Sequence, residues 1–179
     1  MTAIRKSAVC ALVVTLCLWL QGCSTPKTQI SETERLSNQL LSLAMQDKPL
    51  ELHEVAQTLE VRLADYEDTN NWALSGWTYM LHRKSSETRP INSIWLSEPT
   101  AQHPRQVLWV VFDPSTCLSL EAMGQRVGQS VVQRYFPGFA DVRGGWLTLL
   151  EWEGQSTSSE LMAPLGCSRR FEIYKTQRK

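Results

Sequence analysis

Acid–base chemistry in this chain would look first to its three histidines, His53, His82 and His103. His53 lies beside Glu51 and Glu54 on a segment with helical spacing, which reads as a solvated face. His82 ends a strand-like run and His103 precedes Pro104, and neither has a nearby serine or cysteine in a nucleophile pattern. Triad members need not be close in the chain, so a spatial triad stays open. Asp113 follows a long apolar run, a position where catalytic groups often sit, but Asp113-Pro114 is also an ordinary turn starter. Glu151 and Glu153 flank Trp152 as a carboxylate pair of the kind glycoside chemistry uses, although glutamates two apart on a strand often form only its wet side. Arg143-Gly144-Gly145 offers backbone donors to an anion, without a following helix to complete a phosphate cradle. The expectation is therefore no catalytic set, no cofactor and no metal site.

The N-terminus is more specific. Arg5 and Lys6 precede an apolar run from Ala8 to Leu20, the charged-then-apolar order of an export signal. About 20 residues are needed to span a bilayer, and this run is shorter. It ends at Leu20-Gln21-Gly22-Cys23, which resembles the lipobox of bacterial lipoproteins. That resemblance implies a diacylglyceryl group on the Cys23 thiol, cleavage before it, and acylation of the new amine, palmitate being a usual acyl group. It divides the chain into a signal at 1–22, a polar tether at 23–30 and a domain at 31–179. Acyl chains bury methylenes at about 0.8 kcal/mol each, so the membrane anchor is expected to be permanent. Ser24 stands where an inner-membrane retention signal would carry aspartate, which by the same resemblance implies the outer membrane, facing the periplasm.

Two further cysteines, Cys117 and Cys167, remain once Cys10 and Cys17 leave with the signal. In an oxidising compartment a disulfide is the simplest use of such a pair, and two buried free thiols are the alternative. The whole chain balances 18 basic against 18 acidic residues. Loss of Arg5 and Lys6 makes the mature chain slightly acidic, which argues against a nucleic-acid partner.

The elements that would position these groups can be read from periodicity. Ser31-Glu32-Thr33-Glu34 is a capping-box pattern, and Leu36, Leu40, Leu43 and Ala44 follow on one face, predicting a helix from Glu32 to Met45. Leu52, Val55, Ala56 and Leu59 predict a short second helix, with either helix or a change of period through Val61 and Leu63 beyond it. Trp72 to His82, Ile91 to Leu96, Val107 to Phe112, Trp146 to Glu153 and Arg169 to Lys175 read as strands, with Glu67 and its predecessors as a hairpin partner for the first. Leu118 to Phe136 carries apolar residues at helical spacing and predicts a long amphipathic helix, tied by the disulfide at its start to the last strand. The resulting expectation is an α+β domain, an antiparallel sheet of about five or six strands with helices packed on one face.

Six tryptophans fall in the mature chain, and Trp72 and Trp77, five apart, would lie on opposite faces of one regular strand. Exposed tryptophan and arginine mark protein–protein hot spots, so Trp72, Trp77, Arg83 and Arg89 are the candidate partner-binding residues. By analogy of size and address, the expected function is a non-enzymatic protein-binding lipoprotein, specifically an inhibitor or immunity protein that neutralises a toxin or hydrolase in the periplasm. An accessory lipoprotein of an envelope assembly or secretion machine is the alternative, followed by a cell-wall enzyme.

Overall fold

Ser31 is followed at once by helix α1, Glu32–Met45, whose buried residues include Leu36, Leu40, Leu43 and Ala44. The 3.6-residue period thus places its apolar stripe against the sheet. The computed structural model describes residues 31–69, 77–84, 89–100, 104–136 and 145–178. The described residues from Glu32 onward belong to one compact unit. Cys23, the lipobox and the tether lie outside the described residues.

Helix α2, Leu52–Thr58, and a short 3-10 turn, Leu63–Asp65, lead into the sheet. Its strands are β1 (Tyr66–Asp68), β2 (Tyr79–Arg83), β3 (Ile91–Ser97) and β4 (Arg105–Phe112), followed after a break by β6 (Val132–Phe136), β7 (Gly145–Glu153), β8 (Thr157–Pro164) and β10 (Arg170–Gln177). Among the described residues these eight strands form one sheet in the order β1-β2-β3-β4-β10-β8-β7-β6. Every neighbouring pair is antiparallel. The C-terminal strand β10 is therefore inserted between β4 and β8, and β4, apolar almost throughout, lies inside the sheet. Two residues each of β5 (Leu118–Ser119) and β9 (Cys167–Ser168) pair as a separate ribbon.

The α+β class with an antiparallel sheet is what the structure has, but eight strands replace the five or six expected. One missed strand is β8, whose Thr157-Ser158-Ser159 start lacks the apolar alternation that flags a strand. The other is β6, which falls within the predicted helix over Leu118–Phe136. The predicted helix over Leu118–Phe136 is instead β5, then α3 (Leu120–Arg126), then a turn, then β6. Ser119 caps α3 by accepting the Ala122 N–H at 3.3 Å. Gly128, at φ +68°, takes the left-handed conformation that stops a helix. Gly124 lets the chain double back, since a Cβ there would stand 2.7 Å from the Gln129 carbonyl oxygen. The apolar spacing of Leu120 and Met123 is helical, whereas Val131, Val132 and Tyr135 belong to the strand formers that follow.

One face of the sheet carries the core. Leu96, Leu108, Val110, Phe112, Leu150, Leu161, Phe171 and Ile173 pack there with Leu36, Leu40 and Leu43 of α1 and Met123 of α3. Cys117 and Cys167 are bonded, their Cα atoms 5.3 Å apart. The bridge ties the β5–β9 ribbon, so it does not reach the last strand as expected.

Two polar side chains attach the end of α1 to the sheet. The Lys175 ammonium, almost wholly buried, donates to the Ala44 carbonyl at 2.7 Å and to that of Gln46. Asp47 accepts the backbone N–H groups of Gln155, Ser156 and Thr157 at 2.7–3.0 Å, and those bonds hold its carboxyl below the usual range. Gly154 completes this joint, because any Cβ would collide with the Asp47 carboxylate.

Candidate functional site

The other face of the sheet is where the polar and aromatic groups gather. Strand registers align Met80, Trp95, Trp109, Glu172, Met162, Leu149 and Val132 in one row running from β2 to β6. Trp95 and Trp109 stack at 5.3 Å between ring centroids and 20° between planes. Trp77, just before β2, meets both edge-on, at 5.7 Å and 4.7 Å. His82 adds a fourth ring, 5.7 Å from Trp95. All four residues are half-buried, so each ring is partly packed and partly open.

Next to the tryptophans stands a charged cluster on β10. The Arg170 guanidinium lies 4.5 Å from the centroid of the Trp109 ring, within the range of a cation–π contact. The same guanidinium donates through Nε and Nη2 to Glu172 Oε1, at 2.9 and 2.8 Å. Tyr174 Oη donates to Glu172 Oε2 at 2.8 Å. Glu172 is 2% exposed, and burial raises its pKa more than Arg170, Tyr174 and the Trp109 indole lower it. Burial and the neighbouring carboxylate push the Tyr174 hydroxyl far above its ordinary value. Both carboxylate oxygens are thus occupied by donors from its own strand. The geometry suits Glu172 to holding Arg170 over Trp109, and what reaches the surface is an aromatic and cationic patch, called the tryptophan plane below.

The sequence-level candidates are dispersed around this plane. Trp77 belongs to it, whereas Trp72 lies outside the described residues. Arg83 and Arg89 are elsewhere: Arg83 donates to the Arg89 carbonyl at 2.7 Å and approaches Asp113 at 3.5 Å, its side chain only 10% exposed, and Arg89 pairs with Asp65. They fasten the β2–β3 connection to the ends of β1 and β4. Asp113 accepts from the Ser115 N–H and hydroxyl, and these bonds keep its carboxyl below the usual range, as its reading as a turn starter requires. Glu151 and Glu153 are ion-paired to Arg134 and Arg178. His103, Arg143 and Gly144 lie outside the described residues.

One further cluster has donors at ligand-like separation. Ligand atoms of Glu51, His53 and Glu54 lie within 4.8 Å of one another, but Lys48 is already paired to Glu54 and the group is solvated. Missed by sequence reasoning were Trp95, Trp109, Arg170, Glu172 and Tyr174 as one surface. The alternation of Arg170, Glu172 and Tyr174 on one side of a strand was visible; its neighbour β4 was not.

No family model, curated protein or solved structure matches the chain. Among the described residues no helix is long and apolar enough to cross a membrane.

Proposed function

We propose that the chain is a lipid-anchored lipoprotein of the outer membrane, facing the periplasm, and that it works by binding a protein partner. Its leading class is an inhibitor or immunity protein for a toxin or hydrolase that reaches the periplasm. The observation that carries the binding reading is the half-open plane of Trp77, Trp95 and Trp109 under Arg170, on the sheet face opposite the helical core. Tryptophan and arginine are the residues in which interface energy concentrates. An ordered plane also loses little side-chain entropy when a partner settles on it. The address rests on the lipobox resemblance at Cys23. An accessory role in an envelope assembly is the second class, and a neighbouring gene for a secreted toxin would separate the two.

The test places a photo-crosslinking amino acid at position 80, whose residue belongs to the tryptophan row, and at position 121 on α3 in the full chain. A discrete adduct from position 80 alone supports the reading. No adduct under several growth conditions, or the same adducts from both positions, ends it. Palmitate labelling of the wild type and Cys23→Ala tests the address separately, and equal label in both removes the anchor.

A further inference from the structure

A groove of about 630 Å³ opens at the end of the sheet where β2 and β4 begin and β3 and β10 end. That volume lies in the range of small-ligand sites, ~300–1,000 Å³. Its apolar walls include Leu52, Leu63, Tyr79 and Leu96, with Leu63 37% exposed. Its lining acids are Glu51 and Glu98, both exposed, and no lysine or arginine is among the lining residues described. His53 also lines it, at 3.4 Å from Glu51. The basic groups adjacent to lining residues along the chain are already engaged, Lys48 with Glu54, Arg62 with Asp65, Arg105 with Glu160 and Arg178 with Glu153.

The groove is also built not to collapse. The buried Gln106 side chain accepts from the Leu50 N–H and donates to the Leu50 carbonyl, each at 2.7 Å. This two-point clamp fixes the 49–51 segment, which forms one wall, to β4. Fixed walls reduce the ordering cost that a ligand must overcome. Gln177, exposed at the end of β10, leaves an amide at the mouth for a ligand's main chain.

We propose that this groove binds a short segment of a partner polypeptide presenting an apolar side chain next to a lysine or arginine. Apolar walls take the first group, and the exposed acids at the rim, Glu51 and Glu98, select the second by charge complementarity. The site is separate from the tryptophan plane, on the helical side of the sheet, so either can fail without the other.

Calorimetric titration of the full chain in non-ionic detergent tests it with three probes: the peptide Ac-Leu-Lys-Leu-Arg-amide, its counterpart Ac-Leu-Glu-Leu-Glu-amide, and spermidine. The basic peptide should bind saturably and the acidic one should not. The double substitution Glu51→Gln/Glu98→Gln, both at exposed positions, should weaken the basic peptide roughly threefold to thirtyfold, the span that two partly exposed charge contacts supply. Leu63→Lys, which sets a cation at the mouth, should weaken it as well, whereas Trp77→Ala should leave it unchanged. Equal binding of both peptides, binding of spermidine as tight as the basic peptide, or sensitivity to Trp77→Ala in place of the groove variants would overturn the proposal.

Discussion

Trp109 on β4 and Glu172 on β10 are direct cross-strand partners, so a carboxylate that is 2% exposed stands beside a tryptophan ring capped by Arg170. Burial lifts the Glu172 pKa above its ordinary 4.5. Between 4.5 and that higher folded value, the folded chain holds a proton that the unfolded chain has released. Stability contributed by Glu172 is therefore full below 4.5 and is lost as pH rises through the folded pKa. Urea unfolding at a series of pH values should show this decline in the wild type and a flatter profile in Glu172→Gln. An unchanged slope in the variant would remove the linkage.

Lys175 should give a dependence at the alkaline end. Burial lowers its pKa from 10.5 to about 8, so the unfolded chain holds the extra proton between those values, and stability rises with pH across that window. Replacing it with methionine leaves the Ala44 and Gln46 carbonyls without their donor, at a cost of about 1–3 kcal/mol near neutral pH. Chemical denaturation should show that deficit at pH 7 and a wider one at pH 10. A deficit that shrinks with rising pH contradicts the depressed pKa.

The turn after α3 makes a prediction whose sign is decisive. Were Leu118–Phe136 one continuous helix, changing either interior glycine to alanine would stabilise it by about 0.5–1 kcal/mol. With Gly128 at φ +68°, Gly128→Ala should instead destabilise by about 1–2 kcal/mol. Gly124→Ala should cost about 1–3 kcal/mol, because its Cβ would press on the Gln129 carbonyl oxygen, a backbone atom with little room to move. Thermal melts of the two variants settle the matter, and a raised midpoint in either would restore the helix there.

The disulfide closes a long loop, its cysteines 50 residues apart. On the chain-entropy account, removing it as Cys117→Ser/Cys167→Ser should cost about 4 kcal/mol. Denaturant titration of the double variant measures this directly. Loss of the two sulfurs with no fall in midpoint would mean that the bond does not restrain the unfolded chain.

What the sequence determined by itself was local. The span of α1, the interior position of β4 and the pairing of Cys117 with Cys167 were readable because a helical period, an unbroken apolar run and two remaining cysteines each leave a mark within a few residues or in a simple count. The chain after Ser119 was misread because apolar spacing alone cannot register a left-handed glycine at 128, and the pattern on either side of that turn happened to stay in phase with a helix. The tryptophan plane was hidden for a different reason. Alternation places Arg170, Glu172 and Tyr174 on one side of β10, but it does not say which strand lies alongside. Only the insertion of β10 between β4 and β8 brings Glu172 opposite Trp109, more than 60 residues earlier in the chain. The tertiary structure likewise decided that Arg83 and Arg89 are fastenings, since the acids that engage them, Asp65 and Asp113, are supplied by other segments. Side-chain direction follows from local period, whereas the partner each side chain meets follows from strand order, which is fixed by packing of the whole sheet.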